Sequence, residues 1–472
     1  MSKARDSFDY DVAVLGGGSA GYAAARSTAA SGLNTVLIEA AHALGGLCIL
    51  RGCMPSKALL YSAEVLHLAR AASTWGLRIP KVGFNFKAVM DRKKAMVEEF
   101  AHYRRQELRA GKFKLMRARA RFLDAHTLAL SEGRGRCPKS VSAKYFVVCT
   151  GSAVAPAPLR DLNKIGFLTS DDALALPRLP KSLIVLGGGP VAAELAQWFC
   201  RFDVKVTVIQ RSEHLLRDCD ADAATALERA FRREGIRLYT GTKLQGAFSR
   251  GKSKGVIFEH HHQVKRVAAE EILLALGRVP ATAGLGLEEI GVKTEYGRIA
   301  ANTFMQTTVP HIYAAGDCTG PHQIVHIGIE QAEIAARNIL HPRKKQSIDD
   351  RLLCNVVFTD PQVAFAGLTE ERARGGNIPY VAASHPFNDH GKAMIMGAKD
   401  GFVKLLADPG SGEILGGACV GPLGGELIHE ILAAMYRRMT VAELAAMPHY
   451  HPTLAEIWSY PAVELAGKTS RK

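Results

Sequence analysis

A short apolar run, YDVAVL from Tyr10, leads into three closely spaced glycines and then a stretch dominated by alanine; a second apolar run, NTVLIE, ends at Glu39. Short apolar runs bounded by glycine read as buried strands, and the alanine-rich stretch between them reads as a helix. The order returns further along: KSLIVL, a glycine cluster, the helix-like PVAAELAQWFCRF, and the run KVTVI. Strand, helix and strand, given twice, predict parallel sheets covered by helices. Toward the C-terminus the pattern changes. LLCNVVFTDPQVAFAGLT is apolar and β-branched and reads as strand, while GGELIHEILAAMYRRM carries helical spacing and predicts a packed amphipathic helix, in a core or at a dimer contact.

The glycines say what the first of these units is for. In Gly16-x-Gly18-x-x-Gly21, Gly16 suits a tight turn, Gly18 lets backbone approach a pyrophosphate, and Gly21 lets helix pack closely on strand. The helix N-terminus then offers free N–H groups to the phosphates. Glu39, eighteen residues after Gly21, stands where a carboxylate accepts hydrogen bonds from a ribose. The second unit has Gly187-x-Gly189-x-x-Ala192, and Gln210 occupies the position eighteen residues on. Two such units predict two bound nucleotides with different jobs. A duplicated fold with one working site is the plainer alternative.

Between the two lies GGLCILRGCMPSKALLYSAEVLHLARAA, in which Cys48 and Cys53 flank four residues. Pro55 suits the first turn of a helix. A thiol just ahead of that helix N-terminus, with Lys57 in the first turn, is expected to have its thiolate stabilised and its pKa lowered. A zinc knuckle would need a second ligand pair nearby, and none is visible, so no metal is expected.

Composition narrows the picture further. The chain has 472 residues, 47% hydrophobic and 22% charged, which suits a globular protein of two to four domains and excludes a disordered or fibrous one. No apolar stretch is long enough to span a membrane, and the polar start from Met1 to Phe8 is unlike a signal peptide, so a cytoplasmic location is expected. Nine cysteines (48, 53, 137, 149, 200, 219, 318, 354 and 419) are too scattered for a disulfide framework. A formal charge of +15 is spread over segments such as HYRRQELRAGKFKLMRARAR, SRGKSKG and HPRKK. That reads as a solvated basic surface, or as steering for anionic cofactors or an acidic partner. No nucleic-acid-binding motif accompanies it.

The ordered motifs together resemble the flavoprotein disulfide reductases, the family of dihydrolipoamide dehydrogenase, glutathione reductase and mercuric reductase, over nearly the whole chain. The family's redox pair followed by x-Pro-Ser-Lys matches Cys48, Cys53 and Pro55-Ser56-Lys57. Its Thr-Gly matches Thr150-Gly151, its Gly-Arg-x-Pro matches Gly277-Arg278-Val279-Pro280, and its Ala-Gly-Asp matches Ala315-Gly316-Asp317. Its C-terminal His-Pro-Thr-x-x-Glu matches His451-Pro452-Thr453-Leu454-Ala455-Glu456.

The resemblance implies an α/β chain with two Rossmann-like dinucleotide-binding domains and an α+β C-terminal dimerisation domain. The FAD domain would comprise residues 8–160 and 281–346, the NAD(P) domain 161–280, and the interface domain 347–466. It implies a homodimer with a shared active site. Cys53 would face the flavin and Cys48 the substrate disulfide, while His451 of one chain, oriented by Glu456, would handle the proton. Lys57 and Glu194 match the family's ion pair beside the flavin. Gly16, Gly18, Gly21, Glu39, Gly46, Thr150, Gly151, Gly316 and Asp317 would hold FAD, and Gly187, Gly189, Gln210, Arg211, Arg217, Gly277 and Arg278 the nicotinamide nucleotide. His449, His326, His429 and the remaining histidines take no role and read as structural or surface groups.

Departures from the family pattern matter as well. Most relatives carry Thr or Ser before the first cysteine and Asn-x between the pair, where this chain has Leu47 and Leu50-Arg51. The tyrosine that follows the third glycine in glutathione reductases is Pro190 here. The missing carboxylate at Gln210, followed by Arg211 and Arg217, predicts NADP(H) over NAD(H), because guanidinium groups suit a 2′-phosphate. PHYHPTLAEIW resembles the ending of dihydrolipoamide dehydrogenases, which usually prefer NAD. A lipoyl group on a carrier protein is therefore the first candidate substrate. A glutathione-type small disulfide is second, and a mercuric reductase is disfavoured because no cysteine follows Cys419. A non-turnover flavin redox sensor or assembly subunit is the alternative of another class.

Overall fold

The structure is a computed structural model that describes residues 8–131 and 138–469. Cys137 lies outside these residues, as do Met1–Ser7 and the last three positions. The chain divides into two compact units.

The first unit ends at Ser56 and resumes over Asp91–Ala155 and Arg278–Ile348. Its centre is a parallel sheet in the order Lys114–Met116, Thr35–Ile38, Tyr10–Leu15, Ser140–Val148, Ile312–Ala314. The strand Ser140–Val148 also pairs, antiparallel, with Thr127–Ser131, which in turn pairs with Arg119–Asp124. Alternation explains why YDVAVL is continuously apolar. Val12 and Val14 enter one core with Ala23, Ala24, Ala335 and Ile339, whereas Ala13 and Leu15 enter the opposite core with Phe122, Phe146 and Ile312. Both faces of the strand are buried, so neither parity can be polar. The alanine-rich helix Ser19–Ala30 buries Gly21, Ala23, Ala24, Ala25, Thr28 and Ala29. Small side chains there let it lie close to the sheet.

The second unit comprises Lys57–Met90, Pro156–Gly277 and the chain from Asp349. It holds a parallel sheet in the order Arg237–Tyr239, Lys205–Ile209, Ser182–Leu186, Glu271–Leu274. A three-stranded antiparallel sheet of Lys243–Arg250, Ser253–His260 and Gln263–Ala269 stands beside it in sequence; its outer strands are half-exposed, and only the central one buries a core, with Val256 and Phe258. The predicted strand near 352–369 is two antiparallel strands, Cys354–Val357 and Gln362–Gly367. They belong to a five-stranded sheet completed by Ile414–Gly421, Phe402–Ala407 and Val381–Pro386. The amphipathic segment forms helix Gly424–Tyr436, whose Ile428 and Ile431 are buried in that sheet's core with Trp458 and Leu465. Among the described residues no helix is long and apolar enough to cross a membrane.

Candidate functional site

In the first unit the glycine turn is built by steric necessity. Gly16 has φ +103°, and a Cβ there would lie 2.4 Å from the Cys149 carbonyl oxygen. A Cβ on Gly21 would sit 1.7 Å from the Gly16 carbonyl oxygen, so the helix could not close on the turn. At Gly18 a Cβ would meet nothing within 4 Å, which leaves the turn open on its outer side. Gly46 lies against the turn, since a Cβ there would be 2.7 Å from Gly18 Cα. Glu39 ends the second strand as expected: its Oε2 accepts from Gly17 N–H at 2.7 Å and its Oε1 from Ala41 N–H at 2.6 Å. Open turn, fixed carboxylate and helix N-terminus fit the adenosine diphosphate part of FAD.

Thr150 and Gly151 follow the strand Ser140–Val148, and Gly151 accepts a hydrogen bond from Ala281 N–H at 2.9 Å. Asp317 opens a short 3₁₀ turn and accepts from Ser152 Oγ at 2.5 Å. Gly316 N–H donates to Gln331 Oε1 at 2.8 Å, which anchors the turn that carries Asp317. Arg278 donates to Ser152 Oγ and to the Ser152 carbonyl, each at 2.8 Å. Ser152 thus links two motif residues, a role no sequence signal announced.

Cys48 sits inside a short helix, Gly46–Arg51, and Cys53 is the first residue of helix Cys53–Arg70, with Pro55 in its first turn. Both are half-buried and neither is in a disulfide. The lowering was expected of the thiol at the start of the Pro55 helix; Cys48, one helix earlier, is shifted upward. Its hydrogen bond with the Cys53 thiol, then burial, push it well above the ordinary thiol range, against a smaller opposing effect of Arg104. The two thiols share a proton, and a shared proton is held by the pair. Leu50, one of the departures, covers Gly45, while Arg51 is exposed at the end of its helix.

The second unit repeats the glycine geometry with changes. Gly187 has φ +118°, and a Cβ there would lie 2.3 Å from the Ala275 carbonyl oxygen. Gly189 is open, and Ala192, in the place of Gly21, is accommodated as a fully buried residue. Pro190 is the first residue of helix Pro190–Arg201, where a missing N–H costs nothing. Gln210 is buried and its Oε1 takes the neighbouring Arg211 N–H at 3.2 Å. Arg211 and Arg217 are exposed, and Arg217 lies 3.6 Å from Asp218. Gly277 has φ +107° and open space around it.

Lys57 and Glu194 are brought together, with Lys57 Nζ at 2.7 and 2.9 Å from the two carboxylate oxygens. Phe358 completes the pair: its N–H donates to Glu194 Oε1 at 3.0 Å, and its ring lies 4.6 Å from Lys57 Nζ. A buried carboxylate needs such partners, and losing Lys57 would strand it at a cost of about 3–5 kcal/mol.

His451 and Glu456 are also joined. His451 Nδ1 lies 2.9 Å from Glu456 Oε2; the His451 side chain is 77% exposed and that of Glu456 11%. A carboxylate on Nδ1 fixes the ring and leaves Nε2 facing outward, the arrangement for moving a proton. On the other carboxylate oxygen stands His390, which sequence reasoning passed over. His449 is clamped between Glu430 at 2.7 Å and the Met447 carbonyl at 3.1 Å, and His429 bonds to Gly425 within its own helix. Each is thus held by groups of its own surroundings.

Comparison with known proteins bears on the whole chain. The sequence pattern of the family "Pyridine nucleotide-disulphide oxidoreductase" matches residues 10–338, and that of its dimerisation domain matches 353–462. The dimerisation match points to a homodimer. The dihydrolipoyl dehydrogenase of Bacillus subtilis is 34% identical over 471 residues, covering 98% of each chain. The mitochondrial dihydrolipoyl dehydrogenase of Schizosaccharomyces pombe is 32% identical, covering 96% of this chain and 89% of its own. Among solved structures, LpdA from Mycobacterium tuberculosis superposes with TM-score 0.85 at 28% identity, covering 96% of this chain and 99% of its own. The HOCl-induced flavoprotein disulfide reductase RclA from Escherichia coli gives 0.84 at 25% identity, with the same two coverages. Two glycine turns, a spaced cysteine pair and a C-terminal His–Glu pair therefore have one common explanation: this chain belongs to the pyridine nucleotide-disulphide oxidoreductases and is a dihydrolipoyl dehydrogenase-like, FAD-dependent enzyme.

Proposed function

We propose that the enzyme exchanges electrons between NADP(H) and a lipoyl group on a carrier protein, using an active site shared across its homodimer. The observation that carries this reading is the His451–Glu456 pair, held at 2.9 Å with the histidine largely exposed. It lies within residues 353–462, which match the dimerisation domain. The relatives named dihydrolipoyl dehydrogenase support the lipoyl substrate. Bound FAD supplies a two-electron relay between the nicotinamide nucleotide and the Cys48–Cys53 pair.

The roles of the chain's own groups follow from their chemistry. The turn of Gly16, Gly18 and Gly21, with Gly46, Glu39, Thr150, Gly151, Gly316 and Asp317, holds FAD. Cys48 attacks the substrate disulfide and Cys53 resolves the mixed disulfide, re-forming the Cys48–Cys53 bond as the substrate leaves reduced. His451 takes or returns the thiol proton at Nε2 for the partner subunit's dithiol. Lys57 and Glu194 maintain a neutralised charge pair. Gly187, Gly189, Gly277 and Arg278 accommodate the nicotinamide nucleotide. We read the division into residues 8–160 with 281–346, 161–280 and 347–466 as FAD, NADP and interface domains.

The preference for NADP(H) rests on three residues. Gln210 carries no charge to repel a 2′-phosphate, and Arg211 and Arg217 stand exposed beside it. Those residues also favour the second reading, an NADPH-dependent reductase of a small disulfide such as oxidised glutathione. Purified FAD-loaded enzyme, assayed with lipoamide, dihydrolipoamide, oxidised glutathione and mercuric ion against both nucleotides, decides between them. Turnover of dihydrolipoamide with NADP+ is expected; activity confined to glutathione would overturn the lipoyl assignment. Mixing Cys48→Ser with His451→Ala chains should restore partial activity through hybrid dimers, and hybrids that form but stay inactive would refute the shared site.

A further inference from the structure

We propose that His390 is a positioning residue for proton transfer, a second imidazole that holds the Glu456 carboxylate in place for His451. The inference rests on the acid–base reading of His451 and adds a residue to it.

His390 is completely buried, at 0% exposure, and caps the short helix Gly391–Met396. Its Nδ1 accepts the Ala393 N–H at 3.5 Å. A neutral imidazole whose Nδ1 accepts must carry its proton on Nε2. That Nε2 lies 3.4 Å from Glu456 Oε1, close to the carboxylate but outside hydrogen-bond geometry, and it has no hydrogen-bond partner among the described residues. The remaining carboxylate oxygen, Oε2, is the one that meets His451 Nδ1. The carboxylate is therefore bracketed by two rings, one buried and one exposed.

The surroundings keep the buried ring neutral and fixed. Phe387 and Tyr460 each stand edge-on to it, with ring centroids 6.3 Å away, and His385 is stacked on Tyr460 at 4.1 Å. Burial pushes the His390 pKa down, the Glu456 charge opposes this, and His385 and His451 add to the lowering. A neutral ring with its Nε2–H beside the carboxylate, close enough to close up on it, suits the place. It restrains the carboxylate and draws part of its charge away from His451, without a second cation to compete for that charge. Glu456 rotation would swing His451 Nε2 away from its target, so the buried contact sets the exposed geometry.

The test uses the FAD-loaded dimer and the best substrate of the panel above. His390→Leu should lower kcat about 10-fold with KM little changed, a fraction of the roughly 100- to 10,000-fold that a proton-transferring group itself contributes. In a His451→Gln background the same change should cost nothing further. His390→Gln, which keeps an N–H at similar reach, should recover most of the activity, whereas the shorter His390→Asn should not. If His390→Leu loses FAD, the Gln and Asn pair carries the test, and equal activities would overturn the proposal. A wild-type rate in His390→Leu, or an equal loss in the His451→Gln background, also overturns it. A fully active His451→Gln enzyme would instead refute the acid–base reading itself.

Discussion

The two glycine turns are the same device under different constraints. Both begin with a left-handed glycine pressed on a carbonyl, Gly16 on Cys149 and Gly187 on Ala275. They differ at two places. The first unit has no room at Gly21, where a Cβ would lie 1.7 Å from a carbonyl oxygen, while the second takes the methyl of Ala192 into its core. The first ends on Glu39, a carboxylate tied to the Gly17 and Ala41 N–H groups; the second ends on Gln210, which is neutral and bonded to Arg211 N–H. A tightly determined turn suits a cofactor that stays, and a looser one a nucleotide that comes and goes.

The sharpest way to break this contrast is to exchange the tight position. Gly21→Ala should weaken FAD retention more than 100-fold or prevent folding, since overpacking against backbone costs about 1–3 kcal/mol or more. Ala192→Gly should leave flavin absorbance intact. If Gly21→Ala keeps FAD, steric closure is not what distinguishes the two turns. Exchanging the acidic position tests the charges. Gln210→Glu should cut kcat/KM for NADPH by about 10–100-fold and spare NADH, because a carboxylate repels the 2′-phosphate. Arg211→Ala should lower the NADPH-to-NADH ratio about 10-fold, and an unchanged ratio would make that arginine a bystander.

Weaker effects sharpen the picture. Glu39→Gln should raise the FAD dissociation constant about 10-fold, by replacing a charged acceptor with a neutral one. For the cysteine pair between the two turns, the sign of the pH response is definite. The folded dithiol binds its proton more tightly than a free thiol, so its contribution to stability fades as pH rises above the ordinary thiol value of 9.0. Cys53→Ala removes the largest cause of that tight binding, and iodoacetamide labelling of Cys48 near neutral pH should become several-fold faster. Slower labelling would show that Cys53 activates Cys48 instead. Ala192→Gly itself should cost only about 1 kcal/mol in thermal unfolding.

What could be read from the chain was whatever depends on neighbours in sequence. Gly16, Gly21 and Glu39 belong to one strand–helix–strand unit, so their spacing carries their geometry. The close spacing of Cys48 and Cys53 likewise announced two thiols near each other, and they are hydrogen-bonded. The direction of the Cys48 shift was not legible, because it comes from a thiol–thiol contact set by the break between helices Gly46–Arg51 and Cys53–Arg70. Ser152, Phe358 and His390 were invisible for a related reason. Each acts through a group far along the chain, Arg278, Glu194 or Glu456, and none sits in a motif. The sheet of 243–269 escaped because its two outer strands are half-exposed, and an exposed strand carries no strong apolar alternation.

The strand Ile312–Ala314 pairs with Ser140–Val148 and closes the sheet of the first unit. On the ribosome this delays completion. The four parallel strands between Ser182 and Leu274 emerge and can pair while the earlier sheet still lacks its last member. The turn made first is finished second, and a nascent chain halted near residue 290 should shield its 182–274 segment from protease before it shields 10–148. A cofactor that binds the completed first sheet would then be captured only after the sheet of 182–274 already stands.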